Sequence, residues 1–324
     1  MKTVGIIGGS GYTGGELIRL VINHPALSLD FVYSTTRPGT PISDTHLDLL
    51  GQLDVQFTDT INAEVDVLFL CLGHGNSAAF LAENSFAAST LIIDLSNDFR
   101  LEKDAEFGGR NFVYGLPEIN KAEIEKANAI ANPGCFATAI QLALLPLAKA
   151  KLLQNSVHVN ATTGSTGAGV SLSPTTHFTW RNNNLSWYKP FTHQHLGEIG
   201  ETLSANQEEA TDLLFLPHRG DFSRGIFVTA YTQFDDSLAH AYALYEAFYR
   251  NAPFTQVSKK EVHLKLVINS NQCFLHLHKH KNQLLITAVI DNLIKGASGQ
   301  AIQNLNLMMG WEETLGLQLK SSIF

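Results

Sequence analysis

The stretch that most constrains the fold is "VGIIGGSGYTGGEL", close to the start of the sequence. Its apolar run predicts a buried strand, and the residues after Gly14 predict a helix. Gly8, Gly11 and Gly14 lie between the two at three-residue spacing. Because glycine lacks a Cβ atom, such a turn lets the backbone approach a pyrophosphate, whose charge the helix N-terminus faces. The stretch predicts a dinucleotide site that includes Tyr12 and Thr13, and the alternative is a tight turn without a ligand.

The end of the second predicted strand indicates which dinucleotide would bind. An NAD site places an acidic residue there for the ribose hydroxyls. This sequence has "YSTTRPG" instead, with hydroxyls at Ser34, Thr35 and Thr36 and a guanidinium at Arg37. Hydroxyl and guanidinium groups suit a 2′-phosphate, so the segment favours NADP(H) over NAD(H). The alternative is that Arg37 is a solvated loop residue.

The order of predicted elements divides the chain into two parts. Strands and helices alternate over the first 100 residues, which predicts an α/β fold with a doubly wound, Rossmann-type parallel sheet. Beyond the segment 132–141 strands dominate, which predicts an α+β domain with much antiparallel pairing. The strands predicted there are "VHVNATTG", "LLFLPH", "GIFVTAYTQF", "VHLKLVI", "CFLHLHKH" and "QLLITAVID", and the clearest helix is "SLAHAYALYEAFYRNA".

Composition excludes several classes of protein. The 324 residues are 44% hydrophobic and 16% charged, with a net charge of −8, as expected of a globular enzyme of two domains. The sequence has no basic run of the kind that indicates nucleic-acid binding, and no apolar stretch approaches the ~18 residues of a membrane span. We expect no signal peptide, because the glycine turn interrupts the N-terminal apolar run. Three well-separated cysteines form no disulfide or zinc pattern, which favours the cytoplasm.

The segment "ANPGCFATAIQLALLPLAKA" places a cysteine at the predicted start of a helix. Pro133 and Gly134 predict a tight turn, and a helical apolar pattern begins just after Cys135. The first turn of a helix presents unpaired N–H groups and a positive dipole end, which favour a thiolate over a thiol. Cys135 is therefore a candidate nucleophile, and the alternative is a small buried residue in a core helix. Cys71 and Cys273 lie at the ends of apolar strands, which predicts core positions for both.

Seven motifs in this order resemble the N-acyl-γ-glutamyl-phosphate reductase family, related to aspartate-semialdehyde and glyceraldehyde-phosphate dehydrogenases. They are "GGSGYTGGEL", "DLSNDFRL", "YGLPE", "NPGCFAT", "HQHLGEIGETL", "RGIF" and "DNLIKGASGQAIQN". The resemblance implies a glyceraldehyde-phosphate dehydrogenase-like fold, with an NADP-binding domain at 1–134 and 297–324 and a catalytic and oligomerisation domain at 135–296. The sequence departs from the family pattern at Phe136 and Ala137, where Tyr and Pro are expected, and this affects local packing only.

The resemblance assigns roles to particular residues. Cys135 would be the nucleophile and His195 the general acid and base, with His193 beside it. Glu198, one helical turn beyond His195, would either orient that histidine or meet the substrate. The other implied substrate-binding residues are Asn132 and the arginines Arg100 and Arg224, although either arginine could instead form a structural ion pair. Backbone-rich loops at 162–169 and 295–304 would surround the nicotinamide and phosphate, and the implied cofactor residues there are Gly164, Ser165, Gly167, Asn292 and Gln300.

The implied reaction is NADPH-dependent reduction of an N-acyl-glutamyl 5-phosphate to the semialdehyde in arginine biosynthesis, through a cysteine thioester. The acyl group stays open between acetyl and succinyl, and the assembly between a homodimer and a homotetramer. Two alternatives are a dinucleotide-binding sensor and a different acyl-phosphate reductase of the same superfamily. No metal site is expected: His276, His278 and His280 alternate on one strand, as a solvated strand face also would. His74 could line the cofactor site.

Overall fold

The computed structural model describes residues 1–207 and 209–323, and it divides into two compact units. Unit 1 comprises 1–133 and 297–318, and unit 2 comprises 134–296 and the residues from Leu319 on. The predicted domain ranges included Glu208 and Phe324, which lie outside the described residues. They also placed the chain from Leu319 on in the first domain. In the structure that segment groups with unit 2, where the Ser322 N–H donates to the Ile268 carbonyl at 2.9 Å.

Unit 1 is built on a seven-stranded sheet whose strands are parallel except for the last. The strands are β1 Lys2–Ile7, β2 Leu27–Tyr33, β3 Val67–Leu70, β4 Leu91–Asp94, β5 Glu106–Phe107, β6 Arg110–Tyr114 and β7 Ala129–Ala131, and the helices are α1 Tyr12–Ile22, α2 Ser77–Glu83 and α3 Pro117–Ile124. Their order is β2-β1-β3-β4-β7-β6-β5, with β5 antiparallel to β6. The predicted doubly wound sheet is therefore confirmed. Its strand order reverses between β1 and β3, the point at which such sheets form a ligand crevice.

The middle strands of this sheet are buried on both faces. Every residue of β3 is buried, as expected of a central parallel strand that helices cover on either side. One apolar cluster joins strand residues with the aromatic rings of Phe99 and Phe112, which stack with centroids 4.1 Å apart. This core fixes the carboxyl ends of β1 and β3, from which the glycine turn and the loop at Cys71 begin.

Unit 2 contains a mixed sheet of seven strands with helices against it. Its elements are α4 Cys135–Lys149, β8 Val157–Thr163, α5 Phe178–Arg181, β9 Ser186–Trp187, α6 His195–Asn206, β10 Leu213–Arg219, β11 Ile226–Gln233, α7 Leu238–Phe248, β12 Thr255–Ser258, β13 Cys273–His280 and β14 Gln283–Ile290. The order is β12-β13-β14-β11-β8-β10-β9, and four of the six pairings are antiparallel. The α+β prediction is confirmed.

The strand predicted at "VHLKLVI" is wrong. Residues Leu264–Leu266 form a 3₁₀ turn, and the N–H groups of Val267 and Ile268 donate locally to the Leu264 carbonyl. Val262 and Val267 instead pack with Val289 in a small apolar cluster. A short apolar run fits either state, and here tertiary packing selected the turn.

The helix that begins at Cys135 is almost completely buried, and its interior proline is accommodated by a neighbouring helix. Pro146 has no N–H to donate to the Leu142 carbonyl, so that acceptor needs another partner. The Tyr249 hydroxyl, which follows α7, donates to it at 2.6 Å. The body of α4 is thereby held in place against α7, which stabilises the position of Cys135 at its first turn.

The chain returns to unit 1 through a π-helical turn, Ile294–Ser298, and continues as α8, Gly299–Met308. Every residue of α8 up to Leu307 is buried, including Gln300 and Asn304. The Asn304 amide donates to the Gly115 carbonyl at 2.9 Å and to the Asn132 side-chain oxygen at 3.1 Å. Within 1–207 and 209–323, none of the helices is long and apolar enough to cross a membrane.

Candidate active site

The glycine turn of unit 1 has two positions that exclude a side chain and one that is open. Gly8 has φ +78°, and a Cβ there would lie 2.7 Å from the Cys71 carbonyl oxygen. A Cβ on Gly14 would lie 2.6 Å from the Gly9 backbone. At Gly11 a Cβ would meet nothing within 4 Å. Gly8 and Gly14 therefore allow the turn to close, whereas the space above Gly11 is open to a ligand.

The first turn of α1 is suited to a negatively charged group. Gly11 is the N-cap residue and carries no capping side chain, and the first turn holds no acidic residue. The leading N–H groups of such a helix and its dipole favour an anion. Tyr12 is exposed, and the Thr13 carbonyl accepts a hydrogen bond from the Ser298 hydroxyl at 2.8 Å. The turn therefore fits the pyrophosphate that the sequence predicted.

The polar segment after β2 combines a fixed end with an exposed end. Ser34 is buried, its N–H donates to the Thr58 carbonyl, and its hydroxyl lies 3.3 Å from that of Thr36. Thr35 and Arg37 are exposed. The described residues thus place hydroxyl groups and a solvated guanidinium at the end of the second strand, as a 2′-phosphate requires.

The predicted substrate residues of unit 1 contact each other. Arg100 is buried, and its Nε donates to the Asn132 carbonyl at 2.8 Å and its Nη2 to the Leu95 carbonyl at 3.0 Å. The Asn132 amide nitrogen lies 3.2 Å from the Ala297 carbonyl. These bonds hold the chain directly ahead of Pro133 in one conformation, a positioning task that the sequence did not reveal.

In unit 2 the candidate nucleophile lies where a helix begins. Gly134 is the N-cap of α4, and the partly exposed Cys135 is its first residue. A second glycine crowds the cysteine, because a Cβ on Gly296 would lie 2.8 Å from the Cys135 Cβ. The predicted helix start is confirmed, and the first turn of a helix is a position that favours a thiolate over a thiol.

Gly134 is also the contact point of the candidate acid–base pair. A Cβ on Gly134 would lie 2.4 Å from His195 Nε2 and 2.7 Å from Glu198 Oε1. The Gly134 N–H donates to Glu198 Oε2 at 3.1 Å. His195 and Glu198 are both buried, so this glycine brings the two side chains against the residue that precedes Cys135.

Glu198 faces His195 across the first turn of α6. Its Oε1 lies 3.9 Å from His195 Nε2, too long for a hydrogen bond but close enough for an electrostatic contact. Gln141, buried inside α4, lies with its side-chain nitrogen 3.2 Å from the Glu198 carbonyl. On the other side, the His195 N–H donates to His193 Nδ1 at 3.2 Å, and the two rings lie 4.6 Å apart. Glu198 and His193 therefore restrain the position of His195 from two sides.

The loop after β8 is held by the segment that leads into β11. The Ser165 N–H donates to the Phe222 carbonyl and the Gly164 N–H to the Gly225 carbonyl, while that of Gly167 donates to Gly164. A Cβ on Gly164 would lie 2.4 Å from the Ser223 oxygen. These N–H groups are engaged within the unit, which leaves the Ser165 hydroxyl as the group suited to a cofactor contact.

Arg224 forms the ion pair that the sequence left as an alternative. Its Nε lies 3.1 Å from Asp291, whose buried carboxylate also accepts the N–H groups of Asn269, Leu293 and Ile294. Next to it, Asn292 accepts the Gly225 N–H at 2.7 Å and donates to the Thr166 hydroxyl at 3.0 Å. Asp291 was missed because nothing in its local sequence marks a buried charge.

The other singled-out side chains lie outside this constellation. Cys273 is fully buried, and Cys71 is partly exposed as a residue although its thiol is buried, so both sulfur atoms lie inside the protein as predicted. The Cys71 carbonyl lies against the glycine turn, and burial of the Cys71 thiol raises its pKa. His74 is exposed. Within the described ranges no group of three or more His, Cys, Asp or Glu side chains could hold a metal ion, and His276 contacts Tyr242 and the Ser258 carbonyl.

Comparison with known proteins identifies the class. A family model described as "Semialdehyde dehydrogenase, NAD binding domain" matches residues 3–127, and one described as "Semialdehyde dehydrogenase, dimerisation domain" matches residues 135–292. The chain is 64% identical over 325 residues to an N-acetyl-gamma-glutamyl-phosphate reductase of Flavobacterium johnsoniae, and 57% to that of Christiangramia forsetii, with 100% of each chain covered. The chain therefore belongs to the N-acetyl-gamma-glutamyl-phosphate reductase family of semialdehyde dehydrogenases, and the resemblance predicted from the motifs is confirmed.

Solved structures support the fold. Aspartate semialdehyde dehydrogenase II of Vibrio cholerae, complexed with ASA, superimposes with a TM-score of 0.73 at 17% identity, covering 96% of this chain and 98% of that one. Aspartate semialdehyde dehydrogenase with NADP from Candida albicans gives 0.68 at 13% identity, covering 95% and 99%. At these identities the similarity establishes the architecture alone, which confirms the predicted fold class.

Proposed function

We propose that the protein reduces N-acyl-L-glutamyl 5-phosphate to N-acyl-L-glutamate 5-semialdehyde, with NADPH as reductant and release of phosphate. The observation that carries this proposal is the 64% identity, over the whole length of both chains, to a relative named for that reaction on the N-acetyl substrate. The reaction belongs to arginine biosynthesis. The site geometry supports the proposal because it supplies a cysteine at a helix start with a histidine against the preceding residue.

Unit 1 supplies the features that an NADP(H) site needs. The open face of Gly11 and the uncapped start of α1 suit the pyrophosphate, with Tyr12 and Thr13 in the first turn. Ser34, Thr35 and Arg37 suit the 2′-phosphate. When bound, the reduced cofactor supplies a hydride to the substrate carbonyl.

The chain's own residues then carry out covalent catalysis. The Cys135 thiolate attacks the acyl phosphate carbon, the C–O bond to phosphate breaks, and a thioester forms. After hydride addition to the thioester carbonyl, the thiohemiacetal collapses, the C–S bond breaks, and aldehyde and cysteine are released. His195 protonates the oxyanion of the addition step and removes the proton on collapse, a role for which histidine is suited because the unperturbed pKa of an imidazole lies near neutrality.

Glu198 and His193 act as positioning residues in this proposal. The Glu198 carboxylate contacts His195 with one oxygen and the Gly134 N–H with the other, so it links the acid–base group to the start of α4. A hydrogen bond and a ring contact join His193 to His195. Both contacts restrict the imidazole to one orientation, which reduces the entropy cost of proton transfer.

The remaining predicted residues take mainly structural parts in the proposal. Arg224 is paired with Asp291, so only the part of its guanidinium group that Asp291 does not contact is proposed to bind substrate. Arg100 and Asn132 fix the backbone ahead of Pro133. The Ser165 hydroxyl, Asn292 and Gln300 remain proposed cofactor residues, together with Gly164 and Gly167.

A homodimer or homotetramer completes the proposal. The second family model is named for dimerisation and spans most of unit 2. One face of its sheet is half-exposed: along β8 and β11 buried residues alternate with partly exposed ones, and His158 and Tyr231 stack there at 4.9 Å. The stacked rings of His158 and Tyr231 are the part of this face that we propose contacts a second copy. We place the enzyme in the cytoplasm.

Turnover in the reverse direction tests the function. Purified protein receives N-acetyl-L-glutamate 5-semialdehyde, phosphate and NADP⁺, and NADPH formation is followed by absorbance. The proposal predicts phosphate-dependent turnover with this substrate and a kcat/KM for aspartate 4-semialdehyde at least about 10³-fold lower. Preference for aspartate semialdehyde would contradict the proposal and favour the other reductase of the superfamily.

A further inference from the structure

An unusual pair of arginines lies in unit 2, outside the residues that the sequence singled out. Arg181 ends the short helix α5, and only 8% of it is exposed. Its Nη2 donates to the Thr163 carbonyl at 3.1 Å. Its Nε is buried and has no hydrogen-bond partner among the residues that the structure describes. A buried donor of a charged group left without a partner is costly, so its position calls for an acceptor.

The second arginine of the pair adds positive charge at the same place. Arg219 ends β10 and is the register partner of Thr163, the residue whose carbonyl Arg181 contacts. Its guanidinium lies 4.1 Å from the centroid of the Tyr188 ring. Burial and the nearby Arg219 charge lower the pKa of Arg181, and Tyr188 and Asp221 oppose this only in part. Asp221 in turn accepts the Asn183 N–H at 2.8 Å.

Another polar group without a partner lies across the strand pair. Ser186, in β9, is the register partner of Arg219. Its hydroxyl is buried and has no hydrogen-bond partner within the described part of the chain. Two buried donors and two guanidinium groups at the end of β10 therefore share one requirement, a small anion that accepts several hydrogen bonds.

The arginine pair is connected to the reaction centre by side-chain contacts within unit 2. The Tyr188 ring packs edge-on against His193 at 5.8 Å, and His193 packs against His195. Burial and the nearby Cys135 raise the pKa of the Tyr188 hydroxyl. Through Tyr188 and His193, the arginine pair is therefore connected to His195, the residue that packs against Gly134 ahead of Cys135.

We propose that Arg181 and Arg219, with the Ser186 hydroxyl, form a binding subsite for a carboxylate of the substrate. The inference rests on the proposed function, in which the substrate carries its carboxylate a few bonds from the carbon that Cys135 attacks. The carboxylate has two possible sources, the α-carboxylate of the glutamyl group or a carboxylate on the N-acyl group. Either fits the bidentate fork of a guanidinium.

The test compares Arg219→Gln with wild type on three semialdehydes: the N-acetyl substrate, its α-carboxamide, and the N-succinyl substrate. Arg219→Gln should lower kcat/KM by about 10- to 100-fold through the KM of the semialdehyde, with the KM for phosphate and NADP⁺ unchanged. A loss with the acetyl substrate that vanishes with its carboxamide assigns the α-carboxylate. A loss confined to the succinyl substrate assigns the acyl carboxylate. Equal loss on all three, no loss, or a raised KM for phosphate overturns the subsite.

Two further variants control for unfolding and for a nonspecific effect of removing a positive charge. Arg181→Lys keeps the charge but removes the Nε donor, and should raise the same KM. Lys259→Gln is the matched control, because Lys259 also lies over a tyrosine ring, that of Tyr242 at 3.9 Å, and it should leave every KM within about 2-fold of wild type. A change of oligomeric state in Arg219→Gln with unchanged KM would show that a second copy occupies the pair, which overturns the proposal.

Binding without turnover separates this proposal from the function itself. Wild type that turns over none of the three semialdehydes contradicts the proposed function. The subsite is then still tested by the rise in Tm that N-acetyl-L-glutamate produces in wild type and in Arg219→Gln. A rise at least halved in the variant supports a carboxylate subsite, and an equal rise in both proteins overturns it.

Discussion

Replacement of Gly134 by alanine tests the contact on which the acid–base geometry depends. The backbone of Gly134 has φ −67° and ψ 152°, which alanine adopts without strain, so the effect comes from the added methyl group alone. That methyl would lie 2.4 Å from His195 Nε2. Because real Cβ contacts do not fall below 3.0 Å, the imidazole must move by at least 3.0 − 2.4 = 0.6 Å.

The displacement predicts a large kinetic effect with a modest loss of stability. A misplacement on the order of 1 Å costs about 10²-fold in rate, so kcat should fall by about 10²-fold. Overpacking destabilises the folded protein by about 1–3 kcal/mol. Alanine also lowers the conformational entropy of the unfolded chain, which stabilises the protein by about 0.4–1 kcal/mol. The free energy of unfolding in urea should therefore fall by about 1–2 kcal/mol, with the fold retained.

Gly200→Ala is the matched control for Gly134→Ala. Gly200 is exposed on α6, and a Cβ there meets nothing within 4 Å. In a helix interior alanine should stabilise the protein by about 0.5–1 kcal/mol without changing kcat. If Gly134→Ala kept kcat within about 2-fold of wild type while Gly200→Ala behaved as expected, the contact with His195 would not matter for turnover.

Three further predictions concern the cofactor, the proton carrier and a buried acid. Arg37→Ala should lower the ratio of kcat/KM for NADP⁺ to that for NAD⁺ by about 10-fold or more, and an unchanged ratio would remove Arg37 from the 2′-phosphate site. His195→Asn should keep cofactor binding but lose about 10²–10⁴-fold in kcat, and a variant within a few-fold of wild type would show that His195 carries no proton. Burial raises the pKa of Asp94 from 3.8 to about 6, so the folded protein binds a proton at Asp94 more tightly than the unfolded chain does. The resulting contribution to the free energy of unfolding is fully present below about pH 4 and is lost as the pH rises through 6. Asp94→Asn should remove up to about 3 kcal/mol of this pH dependence of unfolding, and parallel curves would refute it.

Local sequence patterns predicted the fold because they carry strong signals. The glycine spacing after an apolar run predicted the βα turn, and the turn before Cys135 predicted the start of α4. Where the pattern was short and apolar, as at "VHLKLVI", periodicity could not separate a strand from a turn. The tertiary partners of Val262 and Val267 decided that segment.

Contacts between distant residues were beyond the reach of the sequence. The role of Gly134 as the surface against which His195 packs depends on residues about 60 positions away. Arg181 has no local motif, and only the fold shows that its Nε is buried. Likewise, Arg224 was a candidate for the substrate until the buried carboxylate of Asp291 appeared as its partner. Burial and partner choice are tertiary properties, so single-sequence reasoning leaves them open.

A burst experiment without phosphate tests directly whether Cys135 forms the acyl-enzyme. N-acetyl-L-glutamate 5-semialdehyde and NADP⁺ are mixed with the protein, NADPH is quantified, and the acid-quenched enzyme is digested for mass spectrometry. Because no phosphate is present to release the acyl group, covalent catalysis by Cys135 predicts about one NADPH per chain and an acyl thioester on Cys135, with no burst in Cys135→Ser. A burst with the acyl group on Cys71 or Cys273, or a burst that survives in Cys135→Ser, would contradict covalent catalysis by Cys135.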